Sequence, residues 1–511
     1  MTRTQNAVRN ISWALVQRMV TLAVPFASRT VLIKVLGMEY LGLSSYFTSV
    51  LGLLSLAELG ISSAIISSMY KPIAEEDTKT ICALMNLIRK AYNVIGVAIL
   101  VIGIGIMPFV PKLIKGEPPG DVNIFILYAV YLINTAVSYF LFAYKNCLFI
   151  AHQRNDVNSR VQTLCIVLQN VLQILLVCTF KNYYVYVCII PLFSILANVI
   201  TAELAKKEYP EYVSKGDLEG KLKRDVKARV AGLFLARAAG TIRSSIDSMF
   251  ITAFLGLEMG AMYSNYFYIV TAVAGMIQII ETSLVAGVGN SISTETREKN
   301  YNDFIKFTFI LQWIVGWCAI CILCLEQHFM KIWMGEKYLF KESMVVLCAV
   351  YLFVNCICIV RSIYTQALGM WWSLKVLSVV DIFTNIFLNY HLGKHFGAYG
   401  IIGASIIDIL LVSIPWTTYY LCRDYFGKEH FANYIKDYIK YFVVATFVGS
   451  ITYAICVLVP TNFTLLSFVL KGVICIIVPN CLYCLIFLKS KLFKESKNMF
   501  LNLIALRRKN R

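Results

Sequence analysis

The feature that most limits how this chain can fold is the recurrence of apolar stretches about 20 residues long. The hydrocarbon core of a bilayer is about 30 Å thick, and a helix needs roughly 20 apolar residues to cross it. Of the 511 residues, 59% are hydrophobic and 15% are charged, whereas soluble domains carry about 25% charged residues. The sequence therefore predicts an all-α polytopic membrane protein rather than a water-soluble fold.

Charged or Pro/Gly-containing loops divide the apolar stretches into about fourteen predicted transmembrane helices. The first stretch could instead be a cleaved signal peptide, but the run is long and contains Arg18 before any small-residue cleavage pattern. We therefore expect it to be retained as a helix. The predicted spans are 11–36, 41–69, 91–110, 124–149, 161–179, 183–204, 230–255, 262–290, 304–325, 343–368, 373–391, 400–421, 441–459 and 465–488.

The positive charge of the chain predicts its orientation in the membrane. With the N-terminus inside, the inner segments contain 32 Lys and Arg residues and the outer loops contain 7. Because cytoplasmic loops carry the excess of basic residues, both termini are expected in the cytoplasm. The net charge of +18 then faces anionic lipid, and no nucleic-acid partner is needed to explain it.

An internal repeat is visible in two segments, IKVLGMEYLGLSSYF (Ile33–Phe47) and ITAFLGLEMGAMYSNYF (Ile251–Phe267). An offset of 219 aligns Gly37 with Gly256 and places Arg18 on Arg237. Repeats with the same membrane direction are related by an axis along the membrane normal, and substrate sites lie between them. We expect two pseudo-symmetric six-helix bundles (1–204 and 230–421), a basic cytoplasmic linker (205–229), and a last segment with a cytoplasmic loop, two more helices and a basic tail (422–511).

Charged residues lie where helices one and seven should be apolar. Helix seven contains RAAGTIRSSIDSMF, with Arg237, Arg243 and Asp247, and helix one contains Arg18 and Arg29. A charge at the bilayer centre costs about 2.5–3.5 kcal/mol on the insertion scale, so such residues face protein or a water-filled cavity. Guanidinium groups bind phosphate oxygens through paired hydrogen bonds. The sequence predicts a central cavity whose four arginines bind an anionic substrate, although each charge could serve only in an ion pair.

Membrane-embedded carboxylates are the candidates for binding a coupling ion, either H⁺ or Na⁺. No G-x-x-x-x-G-K-[ST] phosphate loop occurs, so we do not expect ATP to drive transport directly. Each carboxylate could equally be structural, and Glu58 and Asp247 are the preferred candidates. The full set is Glu58, Asp247, Glu281, Asp381 and Asp408.

The cysteine pattern predicts neither a disulfide framework nor a metal site. The chain contains 16 cysteines, mostly within apolar helices. The segment CAICILC (Cys318–Cys324) has a metal-like spacing but lies in a helix without a loop that could surround an ion. We expect these cysteines to be small packing residues and expect no cofactor.

Three segments resemble the Wzx-type flippases, the polysaccharide transporter branch of the multidrug/oligosaccharidyl-lipid/polysaccharide exporter superfamily. They are AELGISSAIISSMYKPIAEEDTKTICALMNLIRKAY (Ala57–Tyr92), AYKNCLFIAHQRNDVNS (Ala143–Ser159) and IDSMFITAFLGLEMGAMYSNYF (Ile246–Phe267). The resemblance implies that undecaprenyl-pyrophosphate-linked oligosaccharide moves from the inner to the outer leaflet of the bacterial cytoplasmic membrane by alternating access. It also implies a polysaccharide polymerase as a partner. By analogy with lipid II flippases, helices thirteen and fourteen, with Lys471, would hold the lipid tail.

Two other functions are open from the sequence. A multidrug or cation antiporter belongs to the same superfamily, but fourteen helices favour lipid-linked cargo because the antiporters usually have twelve. A membrane-embedded polysaccharide polymerase or ligase would commonly place its site on a large outer loop. The longest predicted outer loop, Glu326–Ser343, is short and contains one histidine. We therefore expect a transporter rather than an enzyme.

Overall fold

A computed structural model describes residues 3–58, 60–218, 220–370, 373–460 and 464–498, and every regular element within these ranges is helical. The chain forms two compact units, Met1–Ser264 and Asn265–Arg511. The helices of the first unit are α1 (Arg3–Val35), α2 (Met38–Leu54), α3 (Ile61–Ala74), α4 (Thr78–Ile106), α5 (Ile124–Phe140), α6 (Asn146–Ala151), α7 (Asn155–Phe180), α8 (Tyr183–Glu208) and α9 (Gly220–Leu255). Next come α10 (Leu257–Thr294), α11 (Arg297–Met334), α12 (Glu342–Ile357), α13 (Ile359–Ala367), α14 (Lys375–Phe396), α15 (Ala398–Asp408), α16 (Ile414–Leu421), α17 (His430–Val457) and α18 (Thr464–Phe487).

The prediction of an all-α multi-pass membrane protein is confirmed. Among the described residues, ten helices are long and apolar enough to cross a bilayer, and the bent pair α5 and α6 makes an eleventh. The other three of the fourteen predicted spans, 11–36, 41–69 and 230–255, fall on α1, on α2 with α3, and on α9. Helices α1 and α9 carry the intramembrane arginines, while α2 and α3 are 17 and 14 residues long. The number fourteen therefore stays a prediction.

The start of the longest outer loop was predicted wrongly. Helix α11 continues to Met334, so Glu326 lies within the helix and is buried, together with His328 and Met330. The apolar periodicity continues through these residues on one face, which allows the helix to extend beyond its first polar side chains. The extended helix leaves a still shorter connection to α12.

The two glycines that the predicted repeat aligns have similar backbone conformations, and the repeat itself stays a prediction. Gly37 and Gly256, which the offset aligns, both have positive φ angles, +119° and +94°, and each lies between two helices. A residue with a side chain adopts such angles only with strain, so glycine is favoured at both turns. The Ser45 Oγ donates to the Ser264 Oγ at 2.9 Å, and these serines are also 219 positions apart. Two equivalent positions of the repeat are thus hydrogen-bonded to each other.

The fourth helix of each predicted repeat is interrupted. In the first repeat, α5 and α6 meet at a bend of 48°, where Phe142 has a φ angle of +58°. In the second repeat, α12 and α13 are separated at Cys358. The predicted boundaries of the two bundles and the linker stay a prediction, and the end of the basic tail, after residue 498, lies outside the described residues.

Arg361 on α13 holds an irregular helix in the second unit. The segment following α15 contains a π-helical turn, Ile409–Ser413, which displaces the regular backbone hydrogen bonds. The buried Arg361 donates from Nη1 to the Ile414 carbonyl at 2.9 Å and to the Thr418 Oγ1 at 3.0 Å. This intramembrane arginine therefore has a structural role.

A carboxylate beyond the predicted spans connects the start of α1 to α7. Asp156 is buried and forms ion pairs with three arginines. The nitrogen–oxygen distances are 3.1 Å to Arg9, 3.4 Å to Arg154 and 3.5 Å to Arg160. Removing a single partner of a buried charge leaves it poorly compensated, so several partners stabilise it more securely than one.

We predict that substitution of Gly42 destabilises the first unit. A Cβ at Gly42 would overlap the backbone carbonyl of Leu257, which cannot move independently of its helix. Overpacking of this kind costs about 1–3 kcal/mol. Gly42→Ala should lower the midpoint of thermal unfolding in detergent. Gly105→Ala is the matched control, since no atom lies within 4 Å of a Cβ there. Equal midpoints for the two variants would contradict this packing.

We also predict an acid-sensitive contribution to stability from His152. The centre of its ring lies 4.5 Å from that of Tyr209 and 5.6 Å from that of Tyr212, and both pairs are stacked. Burial lowers the pKa of His152 below its usual 6.5. Because the folded-state pKa is lower than the unfolded one, protonation favours unfolding. The contribution is present above pH 6.5 and is lost as the pH falls towards the folded-state pKa.

His152→Phe keeps an aromatic ring but removes this titration. The thermal midpoint of the variant, measured between pH 7.5 and 5, should fall less than that of the unchanged protein. An identical pH profile for both proteins would exclude His152 as the source.

Candidate functional site

Two predicted arginines lie on α1. The Nη2 of Arg29 donates to the Ser264 Oγ at 2.6 Å, and Ser264 also receives the bond from Ser45. Arg18, three turns earlier, is half-buried, and its Nε has no hydrogen-bond partner among the described residues. Both guanidinium groups therefore lie among the helices of the first unit.

On α9, the structure describes the side chains of two of the three predicted residues. Arg243 is half-buried, and Asp247, one helical turn further on, is buried at 2% exposure. Ser28, which the repeat offset aligns with Asp247, is also buried, at 1%. Arg237 belongs to α9, but its side chain lies outside the described residues. Its predicted role in substrate binding stays a prediction.

Glu58 accepts hydrogen bonds from three helices of the first unit. Its Oε2 accepts from the Tyr139 hydroxyl at 2.8 Å, and its Oε1 accepts from Tyr92 at 3.0 Å and from Ser62 at 3.3 Å. The short 3₁₀ turn Ser55–Glu58 between α2 and α3 places the carboxyl group. All three donors are neutral hydroxyls, so they orient this carboxyl group without supplying a positive charge.

A polar cavity of about 320 Å³ opens beside Glu58 within the first unit. It is large enough for several water molecules, each of which occupies about 30 Å³ in the liquid. Such a volume can hold a cation with part of its hydration shell. The polar residues that line it are Glu58, Ser62, Tyr92, Ser138, Tyr139, Tyr144, Asn146 and Asn198.

Glu281 has a comparable environment in the second unit. On α10, it accepts a hydrogen bond at Oε1 from the Ser362 Oγ at 2.6 Å and from the Gln366 Nε2 at 2.5 Å. Both donors lie on α13, the second part of an interrupted helix. Glu58 and Glu281 are thus both half-buried and bonded to an interrupted helix of their own unit.

Asp381 and Asp408 belong to a buried polar strip between α14 and α15. Asn385 donates to the Ser405 Oγ at 3.2 Å, and Asn389 donates to the Asn385 Oδ1 at 3.1 Å. Asp381 is 7% exposed and Asp408 is fully buried. Carboxylate, amide and hydroxyl oxygens are ligands for hard cations, so this strip is a second candidate for ion binding.

An apolar cavity of about 340 Å³ lies within the second unit. Small residues on α11, α12 and α17 leave the space, and aromatic side chains also line it. Lys471, predicted to accompany a lipid tail, lies on α18 and is half-buried, but it is not among the residues lining this cavity. The lining includes Gly316, Ala319, Ala349, Phe353, Phe442, Ala445, Gly449 and Tyr453.

The hydrogen-bond donors to Glu58 and Glu281 were not predicted from the sequence. Tyr92 and Tyr139 lie in apolar runs where a tyrosine usually packs by its ring, and Ser362 and Gln366 carry no charge to attract attention. The only available signal was that Tyr92 lies in a segment of family resemblance. Arrangement of the helices was needed to bring these donors together.

We predict that Glu58→Leu destabilises the first unit more than Glu58→Gln. Leucine leaves the Tyr139 hydroxyl without this acceptor, and an unsatisfied buried polar group costs about 1–3 kcal/mol. Glutamine keeps one acceptor oxygen in the same place. In detergent, the midpoint of thermal unfolding should be lower for Glu58→Leu than for Glu58→Gln. Equal midpoints for the two variants would contradict these hydrogen bonds.

Comparison with known sequences identifies a family. Residues 7–285 match the family model described as polysaccharide biosynthesis protein, which is more than half of the chain. No curated protein matches this sequence.

Solved structures share the fold at low sequence identity. The lipid II flippase MurJ in an inward closed conformation is 13% identical, with a TM-score of 0.66, over 94% of this chain and 99% of its own. An inward-facing multidrug resistance transporter of the MATE family is 16% identical, with a TM-score of 0.59, over 80% of this chain and 97% of its own. A mutant of the MATE transporter VcmN of Vibrio cholerae is 12% identical, with a TM-score of 0.55, over 82% of this chain and 97% of its own. At these identities, the similarity establishes the fold.

Proposed function

The chain belongs to the polysaccharide biosynthesis protein family, and from this premise we propose that it is a flippase for undecaprenyl-pyrophosphate-linked oligosaccharide. It would move repeat units from the inner to the outer leaflet for surface polysaccharide export. The observation that carries the proposal is the family match over residues 7–285, which include the arginine-bearing helices α1 and α9. The fold similarity to a lipid II flippase over 94% of the chain supports a lipid-linked cargo.

The arginines suit the head group of such a cargo. Pyrophosphate is anionic, and an always-charged guanidinium binds its oxygens more specifically than an ammonium does. We propose that Arg18, Arg29, Arg237 and Arg243 bind the pyrophosphate during translocation. The buried Nε of Arg18 is a donor that no described protein group uses.

The lipid tail needs an apolar path while the head group crosses. The apolar cavity of the second unit, lined by α11, α12 and α17, has the chemistry to hold part of a prenyl chain. Helix α17 belongs to the C-terminal pair that we expect to serve the tail. We propose that this cavity, rather than Lys471 itself, contacts the apolar part of the cargo.

Coupling to H⁺ or Na⁺ is proposed for the intramembrane carboxylates. Glu58 is the first candidate, because it adjoins a polar cavity and its hydrogen-bond donors among the described residues are neutral hydroxyls. Asp247, Glu281, Asp381 and Asp408 are the other candidates. The transporter would work by alternating access in the bacterial cytoplasmic membrane with both termini inside, and a polysaccharide polymerase would use the exported units.

A multidrug or cation antiporter is the second candidate. The fold similarity to MATE transporters favours it, but those structures cover 80–82% of this chain and MurJ covers 94%. Drug sensitivity of a deletion strain, with unchanged lipid-linked oligosaccharide, would support the antiporter. A polymerase or ligase would instead require turnover of sugar bonds by the purified protein.

We predict that a deletion strain accumulates undecaprenyl-pyrophosphate oligosaccharide in the inner leaflet and that the unchanged gene reverses this. Arg18→Ala and Arg29→Ala should reduce translocation about tenfold or more, because a hydrogen bond to a charged group contributes about 1.5–3 kcal/mol. Leaflet assignment by an impermeant sugar-oxidising reagent or lectin measures the effect.

Arg423→Ala provides the control, since Arg423 is exposed and pairs with the adjacent Asp424. Its export should match that of the unchanged protein, and all variants should reach the membrane in equal amounts. Normal export in both α1 variants would exclude these arginines as cargo ligands. Unchanged lipid-linked oligosaccharide in the deletion strain would overturn the flippase proposal.

A further inference from the structure

Three cysteines distant in the sequence meet in the second unit. Cys324 lies on α11, Cys456 near the end of α17 and Cys475 on α18. Their three Sγ atoms all lie within 4.8 Å of one another, and the residues are buried at 6%, 2% and 0% exposure. We call these three residues the thiol triad. The CAICILC segment contributes only its last cysteine, so its spacing along the helix is not what forms the cluster.

The geometry of the thiol triad is close to what a metal requires. A Zn–S bond is about 2.3 Å long, which places the sulfurs of a three-thiolate site roughly 4 Å apart. Shifts of less than about 1 Å would bring the Sγ atoms to that separation. Thiolates are soft ligands that select soft or borderline ions and disfavour Mg²⁺ or Ca²⁺.

The surroundings limit the total charge that the triad can accept. It lies in an apolar core formed with residues such as Phe309, Ile320 and Val448. Lys471 is one helical turn from Cys475 on α18 and is half-buried. An uncompensated charge is costly in such a core. Three thiolates, one divalent ion and one lysine ammonium sum to zero charge, whereas a monovalent ion would leave a net negative charge.

We propose that the thiol triad is a binding site for a divalent thiophilic metal ion such as Zn²⁺, with Lys471 as the compensating charge. On binding, three S–H groups release their protons to solvent and three metal–sulfur bonds form, without electron transfer. The ion would connect α11 to the C-terminal pair α17 and α18. This site is independent of the proposed flippase activity, because it uses none of the residues assigned to the cargo or the coupling ion.

The full-length protein in detergent is the material for the test, purified under inert gas with a non-thiol reductant. Titration with Cd²⁺ should show one tightly bound ion per chain and a sulfur-to-cadmium charge-transfer band in the ultraviolet. The triple variant Cys324→Ser, Cys456→Ser, Cys475→Ser should lose both signals. Elemental analysis of the protein as isolated should find Zn²⁺ in the unchanged chain and less in this variant.

A second triple variant controls for the other cysteines. Cys318→Ser, Cys321→Ser and Cys481→Ser change the same helices, α11 and α18, outside the triad, and should keep the tight site. Lys471→Gln should weaken Cd²⁺ binding about 10- to 100-fold, as loss of outer-shell partners does. Single Cys→Ala variants, checked for monodispersity and thermal unfolding, distinguish loss of a ligand from loss of the fold.

Three results would overturn the proposal. They are the absence of tight Cd²⁺ binding in the unchanged protein, equal binding by the two triple variants, and a disulfide within the triad in membranes treated at once with a thiol-blocking reagent. Failure of the flippase test leaves these results unaffected, since metal binding is measured without cargo.

Discussion

A polar group inside a bilayer has no water to bond with, and this constraint shapes both units of the protein. Arg361 donates to the carbonyl of Ile414, which follows a π-helical turn, and Glu58 accepts from hydroxyls on three helices. Asn385 and Asn389 bond to each other along α14. The bonds of Arg361 to Ile414 and of Tyr92 and Tyr139 to Glu58 join different helices. The packing of the helices therefore also determines which polar groups have hydrogen-bond partners.

Glu58 and Glu281 are half-buried carboxylates, one in each unit, whose hydrogen-bond donors differ. Glu58 accepts from Tyr139 on α5, and Glu281 accepts from Ser362 on α13. Tyrosine hydroxyls dominate around Glu58, whereas a serine and an amide surround Glu281. A polar cavity adjoins Glu58 and is lined by both Tyr92 and Tyr139. The two carboxylates therefore have different surroundings.

Helices α17 and α18 contribute to two features of the second unit. Helix α17 lines the apolar cavity with α11 and α12, and α17 and α18 each contribute a cysteine to the thiol triad. Trp313 on α11 donates to the Asn480 Oδ1 on α18 at 2.9 Å, and Trp317 donates to the Cys475 carbonyl at 2.8 Å. Polar bonds as well as apolar packing thus connect the added pair to α11. Their attachment to this helix is what creates both the cavity and the triad.

The sequence alone determined the membrane class and most of the helices, because length and hydropathy are local properties of the chain. The predicted repeat aligned Gly37 with Gly256, and both have positive φ angles between helices. The sequence also identified Glu58 and Glu281 as carboxylates inside the membrane, but not their hydrogen-bond partners. Helical periodicity assigns a residue to a face, whereas the neighbour of that face depends on many weak contacts summed over several helices. Only the tertiary structure could therefore bring Tyr139 to Glu58, include Glu326 in α11, and join cysteines from three separate helices.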